Sequence, residues 1–234
     1  MKKLLIIAGL LLNIAFPQIN VDKTRIILDH SQTNTEIIML TNASKTAPFL
    51  AQSWIEDVEG TKIEGPLMAL PVIMRINPSQ SKQVRISLVG GTAQLPTDRE
   101  SLFFFNVMGI PPANNTAGGN SIELAIKTKL KVFYRPKGLP KYTSLEVIQQ
   151  VRVEKHRGGF SLQNPSPYNV VVYGVSDNKG ARISDGSVTV KPFSTADLPT
   201  KVKGNTPRIH YVDEYGGIES VSYSCRSNQC TMVQ

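Results

Sequence analysis

The chain has 234 residues, enough for one large domain or two of ordinary size. Hydrophobic residues make up 41% of it, which supports a packed core and argues against a disordered chain. The formal net charge of +8 suggests acidic partners, and it leaves nucleic acid, an anionic membrane and carboxylates of another protein as options.

The first 16 residues have the pattern of a secretion signal. Lys2 and Lys3 precede an apolar run, Leu4 to Phe16, whose 13 residues are too few to span a bilayer. A buried helix or a membrane anchor is the alternative interpretation. The cleavage pattern is poor, so we place the signal peptide at residues 1–17 with the cut between 15 and 18. Its removal would leave a net charge near +6. No later apolar stretch is long enough to embed the protein in a membrane.

After residue 20 the sequence is dominated by short runs of Val, Ile, Thr, Phe and Tyr between turn residues. Many such runs at this spacing predict an all-β protein built of sandwiches. The predicted strands are Arg25–Leu28, Glu36–Leu40, Phe49–Ile55, Val72–Ile76, Gln83–Leu88, Leu102–Val107, Ile122–Tyr134, Gly159–Gln163, Tyr168–Val175, Ser187–Val190, Ile209–Val212 and Ser220–Cys225.

The segment 135–140, Arg-Pro-Lys-Gly-Leu-Pro, interrupts this series of strands. Two prolines and a glycine cannot continue a central strand, but they fit a short, semi-rigid linker. We therefore expect an N-terminal domain at residues 18–136 and a C-terminal domain at residues 141–234. Each has the size of an immunoglobulin-like sandwich of roughly 100 residues.

The only cysteines are Cys225 and Cys230. In the oxidising compartment that a secretion signal implies, a pair this close can form a disulfide that pins a C-terminal hairpin. Two free thiols are the alternative. Two cysteines are too few for a zinc ribbon.

The sequence lacks the patterns of common catalytic and metal sites. His30, His156 and His210 have no ligand spacing, and there is neither a nucleophile elbow nor a phosphate loop. Asp213 and Glu214 are adjacent, and on a strand adjacent side chains point to opposite faces, which argues against an acid/base pair. We therefore expect no enzyme activity, no metal and no cofactor.

The run from Ile122 to Tyr134 is long for a strand, and its two faces differ. One face carries Ile122, Leu124, Ile126, Thr128 and Leu130, and the other carries Glu123, Ala125, Lys127, Lys129 and Lys131. An ordinary half-buried strand would turn its apolar face inward. An edge strand would instead offer that face to a partner by strand addition. Periodicity alone leaves both interpretations open.

Residues 95–112, Leu-Pro-Thr-Asp-Arg-Glu-Ser-Leu-Phe-Phe-Phe-Asn-Val-Met-Gly-Ile-Pro-Pro, resemble the signature of the periplasmic pilus-assembly chaperones, the PapD-like family. Ordered matches elsewhere extend the resemblance over most of the chain. They are residues 22–25, 48–55, 127–136, 164–168 and 214–217.

This resemblance implies two immunoglobulin-like domains arranged in an L with a cleft between them. It also implies a function in the periplasm. Such a chaperone lends a strand to a pilus subunit that lacks one, then delivers the subunit to an outer-membrane usher without using ATP. The short loop from Pro111 to Ser121, with no cysteines around it, resembles the short-loop branch of the family, which typically serves rod-like pili with adhesive tips.

By matching position, the resemblance assigns Arg25 and Lys131 to the grip on the subunit's C-terminal carboxylate. Ile122, Leu124 and Ile126 match the residues that fill the subunit's open groove. Glu100, Arg135 and Glu214 match a charge cluster that sets the interdomain angle. Glu214 departs from the family, in which aspartate is usual at this position.

Three other functions compete with this one. Binding of nucleic acid would need aromatic residues among the basic ones, and no such row accompanies the lysines. A secreted sandwich that binds glycan would need an aromatic pocket, and we expect the single tryptophan, Trp54, to pack in a core. A secreted hydrolase lacks its motifs. We therefore expect pilus subunits and an usher as partners, and no nucleic acid.

Overall fold

The computed structural model describes residues 19–90, 92–113, 124–177, 187–198, 202 and 204–233. The predicted signal peptide, residues 1–17, and the predicted site residue Ile122 lie outside these ranges. Nearly all regular structure in the described residues is β-strand, and the predicted all-β class is confirmed.

The first half of the chain forms a sandwich of two sheets. Its described strands are β1 (Ile19–Val21), β2 (Arg25–Asp29), β3 (Thr35–Asn42), β4 (Phe49–Glu56), β5 (Lys62–Ile63), β6 (Leu67–Leu70), β7 (Ile73–Ile76), β8 (Ser81–Leu88), β9 (Ser101–Ile110) and β10 (Ile126–Arg135). One sheet has the order β1-β3-β8-β6, and the other has the order β2-β10-β9-β4-β5, with β7 also paired to β4. A short 3-10 helix spans Thr92–Gln94.

Alternation along β4 shows why these strands form a sandwich. Phe49, Ala51 and Ile55 are buried in the core between the two sheets, as a period of two requires. Trp54 lies on the other face of β4, and its Nε1 donates a hydrogen bond to Glu56 at 2.8 Å. Our expectation that Trp54 packs in the core is therefore wrong, because Trp54 lies on the face of β4 opposite to Phe49, Ala51 and Ile55.

The long predicted strand begins later than expected, because β10 starts at Ile126 and not at Ile122. It pairs with β9 along nearly its whole length, from Ile126 to Tyr134. On its other side, β2 runs parallel to it and covers only Lys131 to Arg135. Between Ile126 and Leu130, no strand of the described residues pairs with this second side.

The second half of the chain has its own core around a single eight-stranded sheet. Its elements are α1 (Ser144–Gln150), β11 (Arg152–His156), β12 (Gly159–Asn164), β13 (Val170–Ser176), β14 (Val188–Val190), β15 (Ser194–Leu198), β16 (Arg208–Val212), β17 (Ile218–Arg226) and β18 (Gln229–Val233). The strand order is β14-β13-β16-β17-β18-β11-β12-β15.

The helix α1 was not predicted. Thr143 and Glu146 form a capping box at its start, each accepting from the other's backbone. Only Val147 and Ile148 of the helix are buried, so its seven residues show too little periodicity to be recognised among strands.

The cysteines lie opposite each other in the hairpin of β17 and β18 and form a disulfide, which confirms the predicted bond between Cys225 and Cys230.

Candidate interdomain cleft

Glu100 connects the two domains. One of its carboxylate oxygens accepts hydrogen bonds from Arg135 Nε and Nη2, at 3.1 and 3.0 Å. The other accepts from the backbone and side-chain nitrogens of Asn169 in the second domain, at 2.9 and 3.2 Å. The backbone nitrogen of Glu100 also donates to Pro167 at 2.9 Å. This buried carboxylate therefore joins the end of β10 to the loop before β13.

Glu214 lies near these residues but bonds elsewhere. Its carboxylate accepts from the backbone nitrogen of Ser144 at 3.0 Å and from the Ser144 hydroxyl. Burial alone would raise the pKa of Glu214, but the hydrogen bonds from Ser144 and the charge of Arg135 together lower it. Asp213 and Glu214 lie between β16 and β17, so our placement of this pair on a strand is wrong.

Arg25 and Lys131 are neighbours across the parallel pair of β2 and β10. Arg25 Nη1 donates to the backbone oxygen of Val212 in the second domain at 3.0 Å. Lys131 has no hydrogen-bond or carboxylate partner among the described residues. Burial, and then the charge of Arg25, lower the pKa of Lys131.

Burial also lowers the pKa of Arg25, although Asp213, Glu100 and Glu214 oppose the shift. The two cations therefore lie together in a partly dehydrated site. The nearby acidic residues offset the charge of Arg25 but not that of Lys131.

These cations line a cavity of about 480 Å³ between the domains, which we call the cleft. Its walls are Thr24, Arg25, Phe104, Lys129, Lys131, Val171, Tyr173, Ser187, Val212, Gly216 and Ile218. Tyr173 and Ile218 are large apolar residues that the fold leaves exposed. The cleft thus combines a cationic wall from the first domain with an apolar wall from the second.

The predicted donor residues lie beyond the core of the first domain. Leu124 is 62% exposed. Ile126 is half-buried and is not among the described residues that pack against the core, whereas Leu130, on the same face, is. Leu124 and Ile126 therefore extend the apolar face of β10 beyond the part that packs against the core of its own domain.

Glu56 is a site residue that the sequence did not reveal. Its carboxylate accepts from Lys129 Nζ at 2.7 Å and lies 4.0 Å from Lys127 Nζ. Burial alone would raise the pKa of Glu56, but the hydrogen bonds from Lys129 and Trp54 together lower it. Glu56 thus forms ion pairs with Lys127 and Lys129, but not with Lys131. The contact joins residues 73 positions apart, so no local pattern could have predicted it.

No group of three or more His, Cys, Asp or Glu side chains in the described part of the chain could hold a metal ion. None of its helices is long and apolar enough to cross a membrane.

Two family models match this chain. The N-terminal domain model of the PapD pili and flagellar-assembly chaperones matches residues 18–140, and the C-terminal domain model of the PapD pili assembly chaperones matches residues 146–223. The chain is 34% identical to the chaperone protein PmfD of Proteus mirabilis over 230 residues, which cover 95% of this chain and 89% of that protein. It is 35% identical to the chaperone protein PapD of Escherichia coli over 218 residues, which cover 92% and 89%.

Solved structures have the same fold. The complex of SafA pilin with the SafB chaperone of Salmonella enterica matches with a TM-score of 0.80 at 22% identity, covering 91% of this chain and 98% of that one. The CupB2 chaperone of Pseudomonas aeruginosa matches with a TM-score of 0.72 at 25% identity, covering 88% and 100%.

The expected architecture of two immunoglobulin-like domains in an L with a cleft is confirmed. The relatives belong to a family without enzymatic activity. With both domain models matched in order and over most of its length, the chain belongs to the PapD family of pili and flagellar-assembly chaperones.

Proposed function

We propose that this chain is a periplasmic chaperone that holds pilus subunits until an outer-membrane usher receives them. It would add β10 to the open sheet of a subunit and bind the subunit's C-terminal carboxylate in the cleft. The observation that carries this proposal is one side of β10 between Ile126 and Leu130, with which no strand of the described residues pairs. This side ends at Lys131, for which the described residues offer no carboxylate partner.

The free side of β10 supports strand addition. Exposed strand edges recruit other strands, so proteins normally cover them or blunt them with charge. Here the apolar side chains of Leu124 and Ile126 lie along the open edge. On the opposite face, Glu56 forms ion pairs with Lys127 and Lys129. Within the described part of the chain, the edge therefore offers backbone groups that no other strand pairs with, together with an apolar row, and these are the two requirements of this binding mode.

Arg25 and Lys131 support binding of a carboxylate. Two adjacent cations in a partly dehydrated site repel each other, and a terminal carboxylate between them would relieve that repulsion. Each charge-assisted hydrogen bond would contribute about 1.5–3 kcal/mol. Because the cations stand where the free edge ends, a bound chain end would also set the register of the added strand.

The apolar row would supply affinity. Burial of one large aliphatic side chain contributes roughly 1.5–3 kcal/mol. We assign Ile122, Leu124 and Ile126 to this row, of which Ile122 lies outside the described residues.

The remaining site residues would act on the cleft itself. We propose that Glu100 and Arg135 hold the interdomain angle through Asn169. Glu214 would contribute by fixing the start of α1 through Ser144, and not by a direct ion pair with Arg135.

The signal peptide and the domain limits belong to the same proposal. A cleaved segment at 1–17 would direct the chain to the periplasm, with domains at 18–136 and 141–234. The matched family models, residues 18–140 and 146–223, support these limits. The short-loop resemblance favours rod-like pili with adhesive tips as the assemblies served.

Co-purification tests the proposal. A tagged full chain is isolated from the periplasmic fraction of the bacterium that encodes it, and bound species are identified by mass spectrometry. We expect a pilus subunit in a one-to-one ratio. Retention of nucleic acid or glycan without a subunit, or absence of the chain from the periplasmic fraction, would overturn it.

A further inference from the structure

The turn between β16 and β17 touches the first domain at the floor of the cleft. Gly216 has a φ of 89°, a backbone conformation that side chains rarely adopt. A Cβ atom on Gly216 would overlap the Thr24 hydroxyl and would lie 3.3 Å from Thr24 Cβ. The backbone of the second domain therefore approaches Thr24 more closely than any residue with a side chain would allow.

This contact adjoins the cation Arg25. Thr24 immediately precedes Arg25, and Val212, which accepts the hydrogen bond from Arg25, lies four residues before Gly216. Asp213 holds the turn in shape, because its side chain accepts from the backbone nitrogens of Tyr215 and Gly217 at 3.0 and 2.7 Å. Residues 24–25 of the first domain thus pack against residues 212–216 of the second.

We propose that Gly216 is a positioning residue for the carboxylate site. By allowing the turn to close onto Thr24, it keeps the Val212 carbonyl within reach of Arg25 and so fixes the direction of the Arg25 guanidinium next to Lys131. A side chain at position 216 would force the two segments apart, so the Arg25 guanidinium would lose its hydrogen bond to Val212 and both cations would become more hydrated. This inference rests on the proposed binding of a carboxylate, and it makes that binding dependent on contact between the domains.

The test compares Gly216→Ala with Gly60→Ala in the full chain. Gly60 has nearly the same φ, 85°, but a Cβ atom there would meet nothing within 4 Å. The two changes therefore introduce similar backbone strain, and only the first inserts an atom between the domains. The probe is a fluorescent peptide of alternating serine and valine with a free C-terminal carboxylate, compared with the same peptide as an amide.

We expect the wild type and Gly60→Ala to bind the carboxylate form at least about tenfold more tightly than the amide, as the loss of one charge-assisted bond implies. Gly216→Ala should lose this preference, while its affinity for the amide stays within about twofold of the wild type. Thr24→Ala removes the overlapping hydroxyl, so the double variant Gly216→Ala/Thr24→Ala should recover most of the preference. An undiminished preference in Gly216→Ala, or no recovery in the double variant, would overturn the inference.

A second variant and an NMR titration keep the inference testable if Gly216→Ala does not fold or if the wild type shows no preference. If Gly216→Ala does not fold, Thr24→Ile inserts bulk into the same gap from the exposed side and should lose the preference in its place; a retained preference counts against the inference. If the wild type itself shows no preference, the proposed carboxylate site fails. The effect of Gly216 on the two cations is then tested separately by titration of Lys131 by NMR, which needs no ligand. The pKa of Lys131 should rise in Gly216→Ala and not in Gly60→Ala, and an unchanged pKa would overturn it.

Discussion

Lys131 is a half-buried ammonium beside a second cation, and this arrangement opposes folding. Burial and the charge of Arg25 both lower its pKa, so the charged form is less favourable in the folded protein than in the unfolded chain. Lys129 also lines the cleft, but its ammonium and that of Lys127 lie near the Glu56 carboxylate, whereas Lys131 lies beside Arg25. Perturbed groups of this kind are concentrated at functional sites.

Lys131→Met is expected to weaken binding without weakening the fold. Loss of one charge-assisted bond should lower the affinity for a pilus subunit by about 10- to 150-fold. The melting temperature at neutral pH should stay equal to the wild type or exceed it, because an unfavourable charge is removed. Thermal melts and subunit pull-downs measure the two effects, with Lys82→Met, on an exposed lysine of β8, as the control.

The same substitution has a signature at alkaline pH. A base whose pKa is lowered by folding binds fewer protons in the folded state, so wild-type stability should gain as pH rises toward the usual lysine value of 10.5. The stability difference between Lys131→Met and the wild type should shrink over that window. A constant difference, or a large loss of stability at neutral pH together with normal pull-down of a subunit, would show that Lys131 is a structural residue.

Strand β10 divides into two parts that differ in their pairing. Its second part, from Lys131 onward, is central in the sheet because β2 and β9 pair with it on both sides. Its first part is an edge as far as the described strands show, because β2 does not reach it. The alternation of the sequence predicted the apolar face of this strand but not its division, because pairing with β2 joins residues about a hundred positions apart and leaves no local pattern.

Replacing Leu124 and Ile126 together with Asp should abolish subunit binding and leave the free chaperone folded. The loss of two buried aliphatic side chains corresponds to roughly 3–6 kcal/mol, or about 10²- to 10⁴-fold in affinity. Leu130→Asp is the matched control, since Leu130 lies on the same face but packs against the core, and it should lower the melting temperature strongly. If the double variant melts as low as the control, this face belongs to the chaperone's own core.

The disulfide is expected to have a local effect in the β17–β18 hairpin. A loop this short constrains the unfolded chain by about 2 kcal/mol at most. Replacing Cys225 and Cys230 together with Ser should therefore lower the stability of the second domain by no more than this amount and leave subunit binding intact. Alkylation of both cysteines in protein taken from a periplasmic fraction, without prior reduction, would contradict the bond itself.

At the scale of the whole molecule, contacts between the domains build the cleft. Glu100, Arg135 and Asn169 form one connection, and Thr24, Arg25 and Val212 form another. The resemblance in sequence predicted Glu100 and Arg135. The close contact between Gly216 and Thr24 could not be predicted, because it depends on how the two domains are placed. Helix α1 is the opposite case. Its capping box, Thr143 and Glu146, is a local pattern in the sequence, but a helix of seven residues is too short to be recognised from it.

Glu100→Gln should loosen the angle between the domains while each domain stays folded. Glutamine keeps the shape of the side chain but loses the ion pair with Arg135 and the charge-assisted bonds to Asn169. Small-angle X-ray scattering of the free chaperone should show a broader range of interdomain distances, and subunit pull-down should fall several-fold. Glu59→Gln, on an exposed turn, is the control. Identical scattering from Glu100→Gln and the wild type would remove Glu100 from this role.

Site-specific photo-crosslinking can show whether the edge of β10 contacts a pilus subunit. A photoreactive amino acid is placed at Leu124 in one full-length chain and at Ile37 in another. Both positions are exposed, but Ile37 lies in β3, in the other sheet. After irradiation in the bacterium that encodes the chain, mass spectrometry identifies the products. We expect a crosslink to a pilus subunit from position 124 and none from position 37. The absence of a subunit crosslink at 124, or equal crosslinking at both positions, would show that this edge is not where the subunit binds.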